Sequence, residues 1–103
     1  MQYRQGDVFI EKIESAELGP EIPKNDGVVL AYGEVTGHAH RIRDEGATLF
    51  HGKAANEDRF LRVLRPVNLL HEEHSTITLP PGLYRVRRQR EWTDDMEPRV
   101  VAD

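Results

Sequence analysis

Two short stretches hold most of the residues able to do chemistry. His38-Ala39-His40 places two imidazoles two residues apart, and His71-Glu72-Glu73-His74 places two more three residues apart. Four of the five histidines thus fall in two tight pairs, which a scattered surface distribution would not produce. Neutral imidazole is a leading protein ligand for divalent metals. On a β-strand, residues i and i+2 share a face, so His38 and His40 would present adjacent donor positions from one support. Gly37 and Ala39 would then lie on the opposite face, where small side chains admit a neighbouring strand. His71 and His74 come together in two ways. Glu72-Glu73 could form a tight hairpin loop, making the histidines a cross-strand pair about 5 Å apart. Alternatively, one helical turn makes i and i+3 neighbours.

The expected ligands of such a site are His38, His40, His71 and His74, with Glu73 or Glu45 as a further ligand or acid/base group. Glu73 is the candidate catalytic residue. Of Glu72 and Glu73, at least one is expected to be an exposed turn residue. His51, alone on a short strand, reads as an ordinary polar residue. Histidine and carboxylate donors suit Fe, Zn, Mn or Ni, and the sequence does not distinguish among them. Such a metal would polarise a small polar substrate or activate water or oxygen.

The run His38-Ala39-His40, four residues, Glu45, six residues, Gly52 resembles the first cupin motif. The resemblance implies a small β-barrel in which two histidines and a glutamate bind a metal, and it is the reason for naming Glu45. It covers about 20 of the 103 residues. The second cupin motif places Pro-x-Gly ahead of a single histidine, whereas here Pro80-Pro81-Gly82 follows His71 and His74.

The elements that must position these groups read as β throughout. Asp7–Ile13 is β-branched and aromatic and forms a first strand. Residues 14–27 are rich in Gly, Pro, Asn and Asp and form a long loop, with one weak helical turn at 15–18. Residues 27–33 are apolar on both faces, as expected of a central strand. Further extended pieces fall at 34–42, 47–51, 60–65, 67–71, 74–79 and 83–92. Asp44-Glu45-Gly46 and Pro66 act as breaks. No stretch sustains a 3.6-residue apolar period. Seven or eight short strands indicate one small all-β barrel or sandwich spanning residues 1–103, with a loose tail at 93–103.

Hydrophobic content of 38% and charged content of 31% fit a globular chain rather than a disordered one. The absence of cysteine removes disulfides, thiolate catalysis and Cys-type zinc sites. No apolar run reaches the length of a membrane helix, and the N-terminus lacks the apolar core of a signal peptide, so a cytoplasmic protein without membrane contact is expected. At this size a homo-oligomer is expected to add stability. The net charge of −4 arises wholly in residues 1–52, with 5 basic and 9 acidic side chains; residues 53–103 carry 9 of each.

One basic feature stands out within that balance. Strand parity puts Arg85, Arg87 and Gln89 on one face of the last strand, and Tyr84, Val86, Arg88, Arg90 and Trp92 on the other. The arginines either pair with the chain's carboxylates, which the net charge favours, or contact a ligand. Arg87 and Gln89 are the candidate ligand contacts, for a small-molecule anion or, less favoured, for nucleic acid. A binding module built on this strand, or an assembly subunit whose histidines pack an interface, is the alternative to a metal site.

Overall fold

The computed structural model describes residues 1–33, 35, 37–53 and 58–88. The described chain is all β, with ten strands in two antiparallel sheets. The first sheet has the order β1-β2-β10-β7-β6-β3 and the second β4-β5-β8-β9. The strands are β1 (Gln2–Gln5), β2 (Val8–Ile13), β3 (Leu18–Glu21), β4 (Val28–Tyr32), β5 (Ala39–Ile42), β6 (Ala47–Gly52), β7 (Arg59–Val63), β8 (Val67–Leu70), β9 (Ile77–Leu79) and β10 (Gly82–Arg88). Among the described residues no helix is long and apolar enough to cross a membrane.

Period-2 alternation builds the core. Val8 and Ile10, Leu49, Leu61 and Val63, and Tyr84 and Val86 point inward from the larger sheet. Val28, Leu30, Ile42, Leu69 and Leu79 meet them from the smaller one. The two sheets therefore pack as a sandwich over a shared apolar layer. The parity expected of β10 holds, since Tyr84 and Val86 are fully buried while Arg87 is exposed. Residues 89–103, including Gln89, Arg90, Trp92 and the expected tail, lie outside the described residues.

Three local expectations need correction. Residues 2–5 form a strand, β1, joined to β2 through a two-residue turn, Gly6-Asp7, with Gly6 at φ +60. Such tight hairpins require a positive φ. The expected loop at 14–27 contains β3 and no helical turn. Pro20 is tolerated there because β3 is an edge strand, where a missing N–H costs no ladder bond. Finally, β4 is an edge strand rather than a central one. Its outer residue Val29 is half-buried because Ile22 and Pro23 close over Val28 and Val29 around a small cavity.

A β-bulge in β4 has a further consequence. The register jumps between Val29↔Arg41 and Ala31↔His40, which leaves Leu30 as the extra residue. Its carbonyl accepts a hydrogen bond from the Arg59 guanidinium of β7, so the two sheets are joined there by a polar strut.

Tyr84 is fully buried and its hydroxyl donates to the Pro80 carbonyl at 2.5 Å. Tyr84→Phe should lower unfolding free energy by about 1 kcal/mol, the net worth of one such bond. Tyr84→Ala should cost about 3–5 kcal/mol. Urea titration followed by intrinsic fluorescence checks both.

Candidate metal centre

One end of the sandwich is polar, and the histidines collect there. His40 points inward from β5, as Ile42 does, and is only 2% exposed. His38 does not share its strand. It closes the β4–β5 connection, where Gly33 N–H donates to the His38 carbonyl and His38 N–H donates to the Val35 carbonyl. Gly37 serves that turn through its φ of +89, and no atom lies near where its Cβ would be. The expected packing role for Gly37 is therefore replaced by a conformational one.

His71 and His74 occupy the connection between β8 and β9, and the rings meet with centroids 4.4 Å apart. Neither expected arrangement is the one found: residues 71–76 form a six-residue loop, so His71 and His74 are not a cross-strand pair across a tight Glu72-Glu73 turn, and no helical turn forms; the curl of the wider loop brings the rings together. The pairs then merge into one group. His40 lies 4.3 Å from His71 and 5.8 Å from His74 between ring centroids, and His38 lies 5.7 Å from His71.

Side-chain hydrogen bonds fix this connection against the sheets and order it internally. Gln5 is 2% exposed, and its amide Nε2 donates both to the Leu69 carbonyl on β8 and to the Ser75 carbonyl in the connection. Glu72 Oε1 accepts from Ala39 N–H at the start of β5, at 3.0 Å. Glu73 N–H donates to His71 Nδ1. Gly6 lines the same space, since a Cβ there would sit 2.9 Å from His74 Nε2.

The hydrogen bonds decide the tautomers. Both N–H groups of Gln5 are spent on carbonyls, so Oε1 faces His40 Nδ1, 2.8 Å away. His40 Nδ1 therefore carries the proton and Nε2 the lone pair. That Nε2 lies 3.7 Å from Asp7 Oδ1, and Asp7 in turn accepts from Arg88 Nε at 2.7 Å. In His71 the Nδ1 lone pair is occupied by Glu73 N–H, which places the neutral ring's proton on Nε2. Binding a cation through this ring releases either that hydrogen bond or a proton.

Two of the imidazoles, His40 and His71, are held toward the neutral form. Burial, reinforced by the neighbouring His71, pushes His40 from the ordinary 6.5 down to about 4, against the opposing pull of Asp7. Burial also lowers His71, and His74 adds to it. Glu72 is held below the usual carboxylate range, chiefly by the Ala39 N–H it accepts. Uncharged imidazoles beside an ionised carboxylate are the protonation states a metal ion requires.

Among the described residues, donor atoms of His38, His71 and Glu72 all lie within 4.8 Å of one another. Of the expected ligands, His38 and His71 enter this triad, while His40 and His74 pack against it. Glu45 is exposed in the β5–β6 turn, beyond the end of β5 opposite His38, and is not in the triad. Glu73 is exposed; its backbone serves His71, and its side chain is outside the triad. The carboxylate that joins is Glu72, one of the two weighed. Gln5 and Asp7 were not anticipated. A lone Gln between Arg4 and Gly6 carries no signal of burial, and Asp7 reads as the first residue of a strand, whereas it lies in the β1–β2 turn.

The expected ligand strand is occupied by ion pairs. Arg85 bonds Glu11 at 2.6 Å, Arg87 lies 3.3 Å from Asp58, and Arg88 bonds Asp7. Arg87 is thus engaged with a carboxylate, and Gln89 lies outside the described residues.

A model for a domain of unknown function, DUF8820, matches residues 4–89, and the chain belongs to that family. No curated protein and no solved structure matches it.

The His40 shift has a thermodynamic consequence. The unfolded chain takes up this proton near 6.5, the folded chain only near 4. The contribution is complete above 6.5 and is lost as pH falls toward 4. It amounts to about 3 kcal/mol at most. Urea midpoints measured from pH 4 to 7 should rise more steeply for the parent chain than for His40→Gln.

Proposed function

We propose that this chain is a metal-binding protein whose divalent ion is held by His38, His71 and Glu72. The observation that carries the reading is the convergence of three ligating groups from the β4–β5 and β8–β9 connections within 4.8 Å. Two imidazoles and one carboxylate form a donor set suited to Fe(II), Zn(II), Mn(II) or Ni(II). Three protein ligands leave coordination positions for water or substrate, as catalytic rather than structural sites do. The ion would supply Lewis acidity, and a small polar substrate fits the scale of the neighbouring cleft, about 180 Å³.

The chain's own residues have separable parts in this reading. His38 and His71 supply nitrogen donors, and Glu72 supplies the oxygen not taken by Ala39 N–H. Gln5 orients His40, whose unprotonated Nε2 is a proton acceptor beside the centre. Asp7 stands 3.7 Å from that Nε2, where its charge favours proton uptake, and is itself paired with Arg88.

Purified untagged protein, stripped by chelator and reloaded with each of the four metals, should take up close to one ion per chain by elemental mass spectrometry. His38→Ala and Glu72→Gln should each weaken retention at least about tenfold, as losing one ligand requires. Their far-UV circular dichroism should match the parent, because neither side chain is buried. Unchanged metal content in both variants would refute the assignment.

A further inference from the structure

The outward side of the smaller sheet carries a cleft of about 180 Å³ lined by Ala39, Arg41, Arg43, Leu70, His71 and Glu72. Two of the proposed metal ligands, His71 and Glu72, thus share one cavity with two guanidinium groups. Ala39 and Leu70 supply its apolar surface.

The arginines of this cleft are only partly satisfied by hydrogen bonds. Arg41 and Arg43 both turn to Asp26, at 3.6 and 3.1 Å. Asp26 is 69% exposed, and its backbone stands at φ +55 in the turn before β4. Asp26 and the cleft's own Glu72 together match the two guanidinium charges, and Glu72 is committed to the ion once a metal is held. Arg41 Nε is buried and has no hydrogen-bond partner among the described residues. A buried donor left unmade is costly, and an anion is the partner that satisfies it most strongly.

We propose that this cleft is the substrate site of the metal centre and that it takes a small monocarboxylate. Its carboxylate is received by Arg41 and Arg43, and its body lies over Leu70 toward His71 and Glu72. Planar bidentate acceptors are the groups arginine recognises best. The volume limits the ligand to a few carbons, since sites for drug-sized molecules exceed about 300 Å³. The inference rests on the metal reading only for calling the bound molecule a substrate; the carboxylate contact stands on Arg41 and Arg43.

The test uses lactate and its uncharged amide, lactamide, as probes, and reads the arginine Nε–H resonances of ¹⁵N-labelled protein. Metal-free protein is titrated first and zinc-loaded protein second, with zinc content measured on the same samples. The Arg41 Nε–H signal should move saturably with lactate and stay still with lactamide. Arg41→Gln and Arg43→Gln should each weaken lactate binding about tenfold, the worth of a charge-assisted bond, while zinc content stays at the parent value. Arg41→Lys, which keeps the charge and loses the planar fork, should fall between. No saturable shift at tens of millimolar lactate, or an equal shift with lactamide, overturns the proposal. A lactate shift in protein that retains no zinc supports the cleft and defeats the metal reading. Normal zinc content with no lactate shift defeats the cleft alone.

Discussion

The polar end of this sandwich depends on one side-chain amide. Gln5 is buried where an apolar residue would ordinarily sit, and its three hydrogen bonds reach β5, β8 and the β8–β9 connection. A buried amide is tolerated only when its donors and acceptor are satisfied. Satisfying them fixes which way the amide faces. That orientation sets the tautomer of His40, the path of the connection carrying His71 and His74, and the distance between the sheets at this end. A hydrophobic residue at position 5 could fill the space but could not transmit any of these constraints.

Crowding imidazoles carries its own physical cost. Protonating any of them places a charge against its neighbours, and burial makes that charge more expensive. His40 and His71 are therefore held toward the neutral form, with Asp7 opposing the trend at His40. Asp7 is restrained in turn by Arg88. The chain Arg88–Asp7–His40–Gln5 crosses from β10 through the β1–β2 turn to β5 and back to β1. It ties the two sheets by polar contacts at the end where the apolar layer stops.

The arginines divide by where the topology puts them. On β10, antiparallel pairing with β2 sets Arg85 opposite Glu11, and the two form a short ion pair. Arg87 and Arg88 meet Asp58 and Asp7. Arg41 on β5 and Arg43 just after it share the exposed Asp26 and line a cleft with His71. Surface pairs of this kind add little stability. Their interest lies in which guanidinium nitrogens stay without a partner, and beside the histidines Arg41 Nε does among the described residues.

Several features were legible in the residues alone. Period-2 alternation and frequent Gly/Pro breaks determined an all-β domain. The parity of Tyr84, Val86 and the intervening arginines followed from the two-residue repeat of a strand. The histidine spacing marked two pairs, because each pair is local in the chain. The meeting of those pairs was decided only by the tertiary structure, since pairing of β5 with β8 joins residues some thirty positions apart. The same holds for Glu72, chosen over Glu73 because its carboxylate reaches Ala39 N–H. Position 45 fell away because β5 runs the intended ligand to the opposite end of the sheet. Strand β3 was hidden because an edge strand can contain Pro20 and lack an apolar face. Gln5 was hidden for a deeper reason: a buried polar residue is specified by the partners that satisfy it, and those lie 64 and 70 residues away. Local pattern determines which elements form and which faces are apolar; the long-range register of strands determines which side chains share a site.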